Sequence, residues 1–181
     1  MYYATTYASP IGPLTLACDS GGEALTGLFL ERQKYRAETM PGAMAQKDDL
    51  PIFNAAKKWL DAYFARKNPA ISELALDPAG GEFRRAVWRL LCEIPYGHVR
   101  TYGDIAKSIA AQLHKTSMSS QAVGGAVGHN PISIIIPCHR VVGANGNLTG
   151  YASGIGIKIK LLHLEGVDMS KMFVPTKGKA L

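Results

Sequence analysis

Cysteine is scarce: three in 181 residues, at positions 18, 92 and 138, with no Cys-x-x-Cys pair. Such spacing excludes a disulfide-stapled secreted scaffold, points to a reducing compartment and leaves at least one thiol free. The five histidines, His98, His114, His129, His139 and His163, complete no zinc-finger spacing with these cysteines, so no metal and no cofactor is expected. Long apolar runs are missing as well. The greasiest stretch, residues 132–136, is far too short to cross a bilayer, and the opening MYYATTYASP has neither the basic region nor the apolar core of a leader. The expectation is a cytoplasmic protein with no membrane partner. Charged residues make up only 19% of the chain, and 47% are hydrophobic, with eight tyrosines, five phenylalanines and two tryptophans, which excludes disorder, collagen and coiled coil. The length suits one medium domain or two small ones, either able to bury a core without staples.

Acidic residues are unevenly short. Residues 1–78 hold eight basic and nine acidic side chains, net −1, whereas residues 79–181 hold twelve basic and five acidic, net +7, so the second part is the basic one. A field of that sign concentrates polyanions, and nucleic acid is the first partner to weigh against a merely basic surface.

The first thirty residues set apolar Tyr3, Leu14, Leu16, Leu25, Leu28 and Leu30 among small or polar neighbours and break at Ser9-Pro10 and Gly21-Gly22, a pattern of short antiparallel strands. Residues 32–50 are polar and read as a mobile connection. From Ile52 to Lys67 apolar side chains recur every three or four positions, which predicts an amphipathic helix. Pro69, Pro78 and Gly80-Gly81 then mark a link to a second unit. That unit opens with a helix from about Glu82 to Glu93. A second helix follows Thr101, whose hydroxyl and the Asp104 carboxylate form an N-terminal cap. A third begins near Ser119 or Ser120 and runs through QAVGGAVG, so the pair reads as a helix-turn-helix. Glycine inside a helix costs about 1 kcal/mol against alanine. Two explanations of Gly124 and Gly125 stay open: tight packing on a neighbouring helix, or close approach to a ligand or sugar-phosphate chain.

Residues 130–142, NPISIIIPCHRVV, form a compact apolar strand signal that delivers Cys138, His139 and Arg140 to its exit. A thiol with an ordinary pKa of about 8.5 needs a base or a positive field to react near neutrality. His139 is the nearby base, yet neighbouring side chains diverge, so a bridging water is the better proton path. The base needs an acid to orient it, and Glu82, Glu93, Asp104, Glu165 and Asp168 all remain open. A buried structural cysteine beside a surface histidine is the plain alternative.

The stretch IPCHRVVGANGNLTGY, preceded by GHNP and followed by a lysine-containing helix ending in HLEG, resembles the signature of the O6-alkylguanine-DNA alkyltransferases. The likeness runs back through FRRAVWRLLCEIPYGHVRTYGDIA to cover residues 81–167, while the first 78 match only in size and general pattern. It implies an α+β fold: a ribonuclease H-like α/β domain with a small antiparallel sheet (1–78), then a mostly helical, winged-helix-like DNA-binding domain with the helix-turn-helix (79–168). A flexible basic tail (169–181) would follow. The implied activity is direct reversal of DNA damage, a once-only transfer of a methyl or small alkyl group from O6-alkylguanine, and from O4-alkylthymine, to protein.

Residue by residue, the resemblance makes Cys138 the alkyl acceptor, His139 the base acting through water and Glu165 the acid that orients it. Tyr102 is implied to donate a proton to the flipped base, and Asn130 to tie the helix-turn-helix to the active segment. Val141, Tyr151, Ala152, Ser153 and Lys158 fall to the substrate pocket. Gln121, Ala122, Gly124 and Gly125 of the third helix are expected at the DNA minor groove, with Arg140, Arg84, Arg85 and Arg100 as further DNA contacts. The implied partner is double-stranded DNA carrying O6-alkylguanine, expected to be bound in the minor groove by a monomer. Two positions depart from the family. Gln121 stands where an arginine commonly fills the gap left by the extruded base and has no flat stacking surface. Ser153 replaces a usual glycine and is expected to narrow the pocket, unless it caps the following helix. Two rivals are a thiol hydrolase and an alkyltransferase-like lesion-binding module; the retained Cys138 argues against the second.

Overall fold

The computed structural model describes residues 1–31, 33–36 and 42–176. It divides into two compact units: Met1–Gly80 together with Pro131–Ile135, and Gly81–Asn130 together with the chain from Ile136 onward. In the first unit, strands β1 (Tyr2–Ser9), β2 (Gly12–Cys18) and β3 (Leu25–Leu30) form an antiparallel meander. A short β4 (Met44–Gln46) adds parallel to β1, giving the order β3-β2-β1-β4, so the expected antiparallel sheet is mixed. That strand falls inside the stretch read as a mobile connection; residues 32 and 37–41 of that stretch lie outside the described ones.

Helix α1 (Pro51–Phe64) starts at a proline, whose missing N–H costs nothing in a first turn. It buries Ile52, Phe53, Ala56, Trp59, Leu60 and Tyr63 on one face, as the three-and-four spacing requires. Trp59 also donates its indole N–H to the Ala70 carbonyl at 2.9 Å, so its one polar atom is satisfied within the core.

The second unit contains α2 (Glu82–Cys92), β5 (Arg100–Thr101), α3 (Tyr102–Gln112), α4 (Ser120–Gly128), β6 (Val141–Val142) and α5 (Ile155–Leu164). The cap expected at Thr101 is present: its hydroxyl accepts from the Asp104 amide at 3.1 Å, and the Asp104 carboxylate accepts from the Thr101 amide. Ser119 caps α4 by accepting from the amides of Gln121 and Ala122. Trp88 of α2 donates its indole N–H to the Ala126 carbonyl at 2.9 Å, which fixes the glycine-bearing helix against α2.

The apolar run before Cys138 is not a strand. Its ladder contact is a single bridge between Ile132 and Leu28, after which Ile134 takes a left-handed φ of 71°. The amides of Ile135 and Cys138 each bond the carbonyl two residues back. A continuous apolar run signals burial on every side, and here tight turns supply that burial. Of the expected tail, residues 177–181 lie outside the described ones; within its first part Phe173 pairs with Asn147, and Met169 and Met172 pack on the core cluster of Val142, Leu148 and Leu162.

Candidate active site

Two short strands place the chemistry. Arg100 pairs in parallel with Val141 and Thr101 with Val142, so the 3-10 helix Cys138–Arg140 leads into β6 on one side of the pair, and Tyr102, the first residue of α3, leaves β5 on the other, level with Gly143. Successive side chains on such a turn diverge by about 120°, so Cys138 and His139 aim apart. Asn130, just beyond the end of α4, reaches back through its amide nitrogen to the Ile136 carbonyl at 2.7 Å and the Cys138 Sγ at 3.1 Å. Burial pushes the Cys138 thiol up, while the Asn130 hydrogen bond, the Lys158 charge and the amides of Cys138 and His139 pull it back toward the thiolate.

Among the five acids left open by the sequence, Glu165 is the one that meets His139, with Oε1 2.7 Å from Nε2. It occupies the C-terminal end of α5, and Arg140 grips it from the other side: Nε lies 2.8 Å from Oε2 and Nη2 lies 3.0 Å from Oε1. The Gly97 amide adds a further donor to Oε2 at 3.2 Å. Burial acts to raise the Glu165 carboxyl, but the hydrogen bonds and charges of His139 and Arg140 prevail and hold it at about 2. Burial pulls His139 down and outweighs the upward pull of Glu165, so burial favours the neutral imidazole. A neutral ring that donates from Nε2 to a carboxylate leaves Nδ1 as its basic nitrogen.

The loop after β6 holds the remaining groups. Tyr102 donates its hydroxyl to the Gly150 carbonyl at 3.0 Å, with the Thr149 carbonyl at 3.4 Å. Gly150 has φ 63°, and a Cβ there would stand 2.9 Å from the Tyr102 oxygen, so both backbone and contact demand glycine. Lys158 is fully buried and donates to the carbonyls of Val141 and Thr149, at 2.5 and 2.8 Å. Burial lowers its pKa to about 8, and the neighbouring Cys138 opposes that fall. The Tyr102 phenol is pushed up by burial and by Cys138. Tyr151 has a buried hydroxyl with no hydrogen-bond partner among the described residues, and burial together with Cys138 and Glu165 pushes it up as well. Ala152 and Ser153 are half-buried beside it. Ser153 is not the cap of α5, since that position belongs to Gly154.

Two family models match the chain. One is the 6-O-methylguanine DNA methyltransferase ribonuclease-like domain, over residues 1–78, and the other is the DNA binding domain of the same family, over residues 82–167. The chain belongs to the 6-O-methylguanine DNA methyltransferase family. A methylated-DNA–protein-cysteine methyltransferase of Methanosarcina acetivorans is 46% identical over 166 residues, covering 92% of this chain and 99% of that one. Its Mycobacterium bovis counterpart is 45% identical over 165 residues, covering 91% and 93%. Among solved structures, Mycobacterium tuberculosis OGT in complex with DNA aligns with a TM-score of 0.74 at 42% identity, covering 94% of each chain. An O6-methylguanine DNA methyltransferase of Methanococcus jannaschii aligns at 0.63 and 27% identity, covering 98% of this chain and 99% of that one.

For a member of this methyltransferase family, the placement of the helix α4 residues matters. Gln121, Ala122 and Gly125 are exposed and Gly124 is half-buried. Among the described residues, a Cβ on Gly125 would meet nothing within 4 Å, and one on Gly124 only the Tyr102 ring at 3.9 Å, an ordinary contact. Internal packing therefore does not require these glycines. Arg84 and Arg85 are half-buried, and Arg100 is tied to the Ser108 hydroxyl at 2.8 Å and the Asp104 carbonyl. Arg140 departs from the expected DNA contact: it is buried, its guanidinium held by Glu165 and by the Ile94 carbonyl at 2.6 Å, with its face over the Tyr96 ring. Sequence reasoning missed that pairing and the Thr149 carbonyl shared by Tyr102 and Lys158. An arginine directly after Cys-His was the available signal for the first; main-chain acceptors leave none.

Proposed function

We propose that this chain repairs alkylated DNA by a single irreversible transfer, with Cys138 taking the alkyl carbon from guanine O6, and from O4 of alkylthymine, after the nucleotide leaves the duplex. The observation that carries the reading is the Cys138 sulfur held 3.1 Å from the Asn130 amide, on the same turn as a histidine clamped by Glu165. The thiol proton passes through a water to Nδ1 of His139, and the thiolate attacks the alkyl carbon. As the sulfur–carbon bond forms, the carbon–oxygen bond breaks and its electrons enter the purine ring. Tyr102 supplies a proton to that ring, so guanine leaves neutral; the proton gained by His139 balances the one given up by Tyr102. The buried positive charge of Lys158 favours the thiolate and, through the Thr149 carbonyl it shares with Tyr102, sits beside the transient phenolate.

Extruding a base costs a few kcal/mol, least for a damaged one. Helix α4, with no side chain beyond the alpha carbon at Gly125, is suited to lie against a sugar-phosphate chain in the minor groove, bound as a monomer. The reducing conditions of the cytoplasm suit a free acceptor thiol. Stoichiometry tests the proposal: with excess O6-methylguanine duplex, repaired product should stop at one equivalent of protein. Continued turnover would place the chain among thiol hydrolases instead.

A further inference from the structure

Beyond the last helix the chain returns to the loop that holds Tyr102. The Leu148 amide donates to the Phe173 carbonyl at 2.8 Å, and the Phe173 amide donates to the Gly146 carbonyl at 3.1 Å. Met169 and Met172 anchor this return on Val142, Leu148 and Leu162, whereas the Phe173 side chain is 50% exposed, so its main chain is what engages the loop. At Gly146, φ is 82° and a Cβ would stand 2.5 Å from the Lys171 carbonyl oxygen, so the two backbones approach too closely for any side chain. The loop is knit within itself: the Gly143 amide bonds the Asn147 carbonyl at 2.7 Å, and the Thr149 amide bonds the same carbonyl at 3.0 Å. Displacing residues 146–148 therefore displaces Thr149 and Gly150, whose carbonyls hold the Tyr102 hydroxyl.

We infer that residues 169–173 clamp the active-site loop, and that Phe173 and Gly146 are positioning residues that set the Tyr102 hydroxyl for proton donation to the leaving purine. The inference rests on the alkyl-transfer reading above. It converts a stretch that reads as a loose tail into part of the machinery. The clamp acts through main-chain hydrogen bonds and the Gly146 contact, and touches neither Cys138 nor the base.

The test uses two substitutions in the full-length protein and two duplexes. Phe173→Pro removes the amide that bonds Gly146, and Gly146→Ala pushes the Lys171 carbonyl away while keeping every donor. One duplex carries O6-methylguanine; the other carries its 8-aza analogue, whose leaving purine is the stronger acid and depends less on a proton donor. Each substitution should slow methyl transfer from guanine about fivefold, roughly the worth of one backbone hydrogen bond, with duplex affinity unchanged. Transfer from the 8-aza duplex should slow distinctly less. Val174→Ala, a change at an exposed neighbour, should leave both rates alone. Equal slowing on both duplexes would mean a generally loosened site and would overturn the positioning role, as would wild-type rates in both variants. Should Phe173→Pro fail to fold, Gly146→Ala decides alone. If the unaltered protein itself transfers no methyl, the alkyl-transfer reading falls first, so the two failures are distinguishable.

Discussion

Glu165 serves three neighbours at once, donating nothing and accepting from His139, Arg140 and the Gly97 amide. Its folded-state pKa of about 2 lies below the ordinary carboxylate value of about 4.3. The stabilisation it provides is therefore complete above the unfolded value and is lost as pH falls from there toward about 2. Thermal melts should show the stability gap between the wild type and Glu165→Gln closing as pH drops from about 5 to about 3. A gap that stays constant across that window would detach the carboxylate from the network. Asn130 works on the thiol in the opposite sense to burial, lowering its pKa. Asn130→Ala should raise that pKa, slow alkyl transfer about tenfold near neutral pH and recover part of the rate as pH rises. A variant whose deficit is the same at every pH would show that Asn130 only holds the Ile136 carbonyl.

Helix α4 is where an element carries a cost that its own unit does not repay. Gly125 is exposed, a side chain there meets nothing, and alanine would favour the helix by about 1 kcal/mol. Gly125→Ala should raise Tm by about 2–4 °C and yet weaken duplex binding, measurable by melting and fluorescence anisotropy. Higher stability with unchanged affinity would leave Gly125 without a role at DNA. Elements were legible wherever side chains carry the signal. The Thr101/Asp104 cap, the Ser119 cap, the α1 stripe and the strand pattern of the first thirty residues all state their structure locally. The run 131–136 was not, because continuous burial looks alike in a strand and in tight turns, and nothing in Ile134 announces a left-handed backbone. The attachment at Phe173 was illegible for a related reason: it is made by amides and carbonyls, which every residue owns. Arg140 looked like a surface cation because its partner Glu165 is distant in sequence, on the far end of α5.

For the whole molecule, charge and chemistry fall to the same part of the chain. Residues 79–181 hold twelve basic and five acidic side chains, of which Arg140 and Lys158 are buried and unavailable to phosphate. The remainder should still make undamaged-duplex affinity fall by at least about tenfold between roughly 50 and 200 mM salt. A flat salt response would remove phosphate contacts from the account. The residues around Cys138 converge from α3, the end of α4, the turn before β6, the Thr149–Gly150 loop and the end of α5, and no stretch of sequence shows that convergence until the β5–β6 pairing is known. The chain also carries two other thiols, Cys18 and Cys92, both pushed up by burial. The most direct measurement is therefore peptide mapping by mass spectrometry after one incubation with O6-methylguanine duplex. The account predicts one methyl increment, on Cys138, in all of the reacted protein; a methyl on Cys18 or Cys92, or repaired DNA with Cys138 unmodified, would contradict it.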